Sequence, residues 1–77
     1  MNKQRRAAIS KIADELRALG ERITDLEGEE QDAFDNLPEG LQDSERGNAM
    51  TEAVDTLNSA VSELEGVIET IETLGNE

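Results

Sequence analysis

MTEAVDTLNSAVSELEGVIETIETL, residues 50–74, carries large or branched apolar side chains at Met50, Val54, Leu57, Val61, Leu64, Ile68 and Ile71. The spacing alternates four and three without a miss, which is the heptad pattern of an α-helix that buries one stripe. A solvated acidic chain has no reason to keep such a period, so the pattern excludes disorder here even though the composition is Glu-rich and poor in aromatics. Working back toward the N-terminus, Ile9, Ile12, Leu16, Leu19, Ile23 and Leu26 repeat the alternation, and its continuation reaches Glu30, Ala33 and Leu37.

The period fails between the two segments, at FDNLPEGLQDSERG, residues 34–47. Pro38 disfavours helical geometry at Leu37, Gly40 is free to take the left-handed conformation, and Asp43 or Ser44 offers a side-chain oxygen to cap the next helix. The predicted order is a helix over about 3–36, a turn over about 37–43 and a helix over about 44–74, forming one domain. The connection is short, so the helices lie antiparallel, each about 45 Å long. The fold class is all-α, an antiparallel helical hairpin.

A second apolar column, Ala53, Ala60, Val67 and Leu74, runs one heptad apart beside the main stripe of the second helix. The matching positions of the first helix include Glu15 and Arg22. A stripe this wide exceeds what one partner helix covers, and a chain of 77 residues builds too small a core to be comfortable alone. The sequence therefore predicts a homodimer or higher homo-oligomer, a helix bundle with Ala53, Val54, Leu57, Ala60, Val61, Leu64, Val67, Ile68, Ile71 and Leu74 at the subunit interface.

The formal charge is −12, unevenly spread. Residues 1–27 hold six basic and five acidic side chains, while residues 28–77 hold fourteen acidic ones and a single cation, Arg46. Such a field repels nucleic acid, so no direct nucleic-acid binding is expected. Lys3, Arg5 and Arg6 oppose the dipole of their own helix, as do Glu69, Glu72 and Glu77 at the other end of the chain. A hairpin brings the two clusters together as exposed pairs.

With no Cys and no His, disulfides and thiolate or imidazole zinc sites are excluded. No apolar run has the length of a signal or membrane segment, so the expectation is a cytoplasmic protein without a membrane partner. Glu27, Glu29, Glu30, Asp32 and Asp35 spread around the helix with nothing basic nearby to set unequal pKa values, which reads as a solvated face. They lack the alternating ligands and central glycine of a calcium loop. There is no nucleophile with a base and no phosphate-cradling glycine loop. The expectation is a non-enzyme with no cofactor and no metal.

The turn holds what chemistry remains. Phe34 is next to Ala33 on the heptad count and fits the stripe poorly; it either covers the end of the bundle, as Leu37 and Leu41 do, or stacks on a ligand. Arg46 lies in the first turn of the second helix, where a cation is unfavourable unless an anion is near. A carboxylate such as Asp43 is the simpler partner. The alternative is an anion site, with Arg46 and helix N–H groups for a phosphate, Phe34 for a base, and Asn36, Gln42, Ser44 or Asn48 for edge hydrogen bonds.

Glu29, Glu30, Gln31, Phe34, Asp35, Asn36, Leu37, Pro38, Glu39, Gly40, Leu41, Gln42, Ser44, Glu45, Arg46 and Gly47 form a turn pattern that resembles a group of small acidic two-helix proteins encoded by bacteriophages and prophages. Similarity runs through nearly the whole chain, but only this centre is distinctive. Gly28 departs from the charged residue such relatives carry there, which loosens the first helix. The group brings no assigned activity, so no functional residue is carried over. A phage setting implies an accessory, anti-defence role. The first expectation is a homo-oligomer that sequesters a nucleotide second messenger of host immunity. The alternatives are an acidic DNA mimic or protein-blocking inhibitor of a host defence protein, of the anti-CRISPR or anti-restriction type, and a purely structural bundle.

Overall fold

The computed structural model describes residues 1–76 and is all-α, a hairpin of two long helices drawn out to 59 Å. Helix α1 spans Lys3–Asp35, a single turn α2 spans Glu39–Gln42, and α3 spans Glu45–Gly75. The long helices run antiparallel: Gly75 meets Ile9 and Ser10, Gly20 meets Leu64, and Asn58 donates to Glu27 at 3.1 Å. No helix is long and apolar enough to cross a membrane.

Each long helix starts on a polar cap. Asn2 accepts from the backbone N–H of Arg5 at 2.8 Å, and Ser44 accepts from that of Gly47 at 3.4 Å, each satisfying an otherwise orphaned donor. Asn36 closes α1 with its N–H on the carbonyl of Asp32 at 3.0 Å. The chain then reverses through α2, whose N-cap is Pro38; the Pro38 carbonyl accepts the first bond of the turn from the Leu41 N–H at 2.8 Å. The expected left-handed Gly40 does not occur: no described residue has positive φ. One extra helical turn does the bending instead.

The seam of α3 runs as its period dictates, through Gly47, Met50, Val54, Leu57, Val61, Leu64, Ile68, Ile71 and Gly75, all buried or half-buried. That of α1 does not. It passes through Ile9, Ala13, Leu16, Gly20, Ile23, Glu27, Glu30, Phe34 and Leu37, whereas Ile12, Leu19 and Leu26 are 48%, 46% and 56% exposed. Both phases alternate four and three. The structure takes the one whose small residues, Ala13 and Gly20, let the backbones approach closely: a Cβ on Gly20 would lie 3.3 Å from Leu64 Cδ2, and one on Gly75 would lie 3.2 Å from Ser10 Oγ. Among the described residues Ala13, Gly47 and Ile68 are buried, and only the first and last of these bring apolar side chains.

This shift of phase corrects two expectations. Phe34 is a seam residue, one heptad from Glu27 and two from Gly20, so its ring packs under the turn. Also, α1 has a second apolar column after all, formed by Ile12, Leu19 and Leu26.

Heptad position fixes where that column points. Arg17 and Thr24 lie on one flank of the α1 seam and share a cleft with Glu65 and Glu72 from the corresponding flank of α3. Ile12, Leu19 and Leu26 are on the other flank of α1, as Ala53, Ala60, Val67 and Leu74 are on the other flank of α3. The two columns therefore emerge on the same side. One flank of the hairpin is polar and the other is an apolar ribbon to which both helices contribute.

Candidate functional site

The turn is the first place to look. Gln42 donates through Nε2 to the carbonyls of Phe34 at 3.5 Å and Leu37 at 3.3 Å, tying off the end of α1. Ser44 donates its hydroxyl to the carbonyl of Leu41 and accepts from Gly47. Both side chains are thus committed to holding the bend. Phe34 is half-buried in the seam, while Asn36, Arg46 and Asn48 are exposed. The six residues expected at a ligand site separate into three that build the turn and three that face water around it. Leu37 is half-buried as expected of a plug, but Leu41 is 47% exposed and caps nothing.

Arg46 does not pair with Asp43. Among the described residues its side chain has no ion pair and no hydrogen bond, although it sits at the positive end of α3. It extends the column of Ala53 and Ala60 by one heptad, so the apolar ribbon ends on a cation there. Arg5 does the same one heptad before Ile12.

Periodicity does not single out Gly47. It is buried, and a Cβ there would overlap the carbonyl group of Gln42 and come within 2.8 Å of the Leu41 oxygen. The tight backbone crossing between α2 and α3 is possible only because this residue has no side chain. The readable signal was a glycine three residues after a capping serine, SERG.

A cleft of about 490 Å³ runs along the polar flank. Gly20 and Leu64 meet along it, and Glu21, Asp25, Glu65, Glu69 and Glu72 rim it beside one cation, Arg17. Arg17 donates to Glu72 across the helices and to Asp14 at 3.3 Å. The hydrogen bond that Arg17 donates to Glu72, and after it the charges of Glu72 and Asp14, raise the Arg17 pKa and outweigh the opposing effect of desolvation. A raised value keeps the guanidinium charged throughout the neutral and moderately alkaline range. Glu72 therefore engages Arg17 rather than the N-terminal cluster, and Glu69 lines the same cleft; Glu77, the third expected partner, is outside the described residues. Lys3 and Arg6 line a shallow hollow with Gly75 and Asn76.

No group of carboxylates among the described residues is arranged to hold a metal ion. The cleft suits a guest of positive charge with an aliphatic stem, because its floor is Leu64 and Ile68 and its rim is acidic. The acidic character deepens toward the turn. Cut at the level where Gly20 meets Leu64, residues 21–63 carry thirteen carboxylates and two arginines, whereas residues 1–20 and 64–76 carry five carboxylates and five cations. No protein-family model, curated protein or solved structure matches the chain.

Proposed function

We propose that this is a non-enzymatic accessory protein that works by occupying a cationic surface of another protein, one that otherwise holds nucleic acid. The observation that supports this reading is the one-sided charge of the rod: thirteen carboxylates against two arginines around the turn, continuous with the acidic cleft. Helices of this length hold carboxylates at fixed spacing, so the ordering cost of presenting a polyanion is met by the fold before binding. Like phosphates, these groups steer a basic partner and weaken in salt. The anti-defence setting, with a host nuclease or other defence protein as target, rests on the resemblance to phage-encoded proteins.

Immobilised protein should retain a nucleic-acid-binding protein from host lysate, with release by rising salt and by competing duplex DNA. Glu29→Gln, Asp32→Asn and Asp35→Asn together should weaken retention at least several-fold while leaving the helical signal unchanged, since all three are exposed. Retention that ignores both salt and these carboxylates would discard the reading.

A second reading is favoured by Arg46, which is exposed without an acidic partner. It is sequestration of a nucleotide second messenger, with the phosphate on Arg46 and the N-terminus of α3. A thermal-shift panel of cyclic dinucleotides and ADP-ribose derivatives tests it. Ligand at 100 times its Kd would stabilise the fold by about 2.7 kcal/mol, and Arg46→Ala should remove the shift. A flat panel leaves only the first reading.

A further inference from the structure

We infer that a second copy of this chain covers the apolar ribbon, and that it does so head to tail, each turn beside its partner's chain termini. This goes beyond the choice of ligand above and does not depend on it.

The first argument is area. The hairpin exposes 5713 Å², whereas a compact monomer of 8.4 kDa exposes about 4,600 Å². The excess, about 1,100 Å², is of the size that one side of a standard protein interface buries, about 800 Å². Its apolar part is concentrated on one side. Ile12, Leu19, Leu26, Val67 and Leu74 are between 39% and 56% exposed, and Ala53 and Ala60 give the face its flat middle. With Ala13 and Ile68 the only buried apolar side chains among the described residues, the hairpin lacks a core of ordinary size, and this ribbon is where one can be completed.

The second argument is charge, and it selects both the occupant and its direction. A face shared by two copies must be self-complementary. Side by side with both turns together, two ends of thirteen carboxylates and two arginines would meet, and the excess charge of each would repel the other along half the rod. Reversing one copy sets each acidic turn beside the balanced end that carries Lys3, Arg5, Arg6 and Lys11. The ribbon is built for that reversal. It runs from Arg5 to Ala33 on α1 and from Leu74 back to Arg46 on α3, so each end carries one arginine. Reversal places Arg5 by the partner's acidic turn and Arg46 near the carbonyl end of the partner's α3, where a cation is favoured. The remaining carboxylates of residues 21–63 stay mostly on the outer and polar faces, so the assembly offers an acidic patch at each end.

The test uses the whole chain. Sedimentation equilibrium at micromolar concentration should give twice the 8.4 kDa chain mass. The chain has no cysteine, so Gly40→Cys provides a single labelling site at an exposed position where a Cβ meets nothing within 4 Å. Spin labels there should be separated by most of the 59 Å length of the rod. Leu19→Glu with Leu26→Glu should raise the dimer dissociation constant at least 100-fold, while Thr24→Glu on the polar flank should leave it within about twofold. A helical monomer of wild-type sequence overturns the inference outright. A dimer whose Gly40 labels lie close together overturns the head-to-tail arrangement, and one that Leu19→Glu with Leu26→Glu leaves intact overturns the ribbon. None of these outcomes depends on whether a basic protein or a nucleotide is the ligand.

Discussion

Gly47→Ala is expected to remove much of the stability of the hairpin, on the order of 3 kcal/mol or more, the upper end of what overpacking costs. The atoms in the way are backbone: the Gln42 carbonyl carbon would lie 2.6 Å from the new Cβ and the Leu41 oxygen 2.8 Å away. A side chain could rotate aside; a carbonyl fixed by hydrogen bonds cannot. Leu41 O already accepts from the Ser44 N–H at 3.1 Å and from the Ser44 hydroxyl, so making room breaks the cap as well. Domains of this size have only about 5–15 kcal/mol in total, so the midpoint of urea unfolding should fall steeply. Gly40→Ala is the matched control. It lies in the same bend, has no positive φ and meets nothing within 4 Å. It should be neutral or stabilising by up to about 1 kcal/mol through the unfolded state. Equal midpoints for the two variants would mean that the close crossing at Gly47 is not what fixes the turn.

Ile68→Ala should cost about 2–5 kcal/mol, the range for emptying a buried aliphatic site. At 6% exposure Ile68 is the one large apolar side chain among the described residues that is buried, and it lies on the floor of the acidic cleft. The adjacent Val67→Ala makes the comparison informative. Val67 is 51% exposed and belongs to the ribbon, not the seam. Its loss should change unimolecular stability by less than about 1 kcal/mol, and any further loss should depend on protein concentration, as removal from a subunit interface requires. Melting at several concentrations separates the two effects. Ile68→Ala should lower Tm at every concentration; if it melts with Val67→Ala, the seam assigned to α3 is wrong.

How far the fold could be read in advance differs between the helices for a physical reason. In α3 the interleaved column is the smaller one: Val54, Val61 and Ile68 outweigh Ala53, Ala60 and Val67, so hydrophobicity alone picks the phase that the structure buries. In α1 two phases are interleaved. Ile12, Leu19 and Leu26 compete with Ala13, Gly20 and Glu27 for the place beside Ile9, Leu16 and Ile23, and hydrophobicity alone favours the larger set. The packed hairpin chooses the smaller one, since Ala13 and Gly20 admit Leu64 and its neighbours where an isoleucine and a leucine would hold the helices apart. The same shift turned Phe34 from an ill-fitting aromatic into a seam residue. At the turn, Ser44 was readable as a cap because its oxygen acts within four residues. Gln42 was not, because its partners are the carbonyls of Phe34 and Leu37, and their direction depends on how α2 folds back.

Local rules therefore determined what is local: two helices, the break at Pro38, the cap at Ser44, the stripe of α3 and the excess of carboxylates after residue 27. Only the tertiary structure decided which stripe of α1 is enclosed and, with it, that two leftover columns lie on one flank while the carboxylate-rimmed cleft lies on the other. The separation of two helices is a joint property of both surfaces. A glycine's value at a contact is invisible until the leucine opposite it is in place.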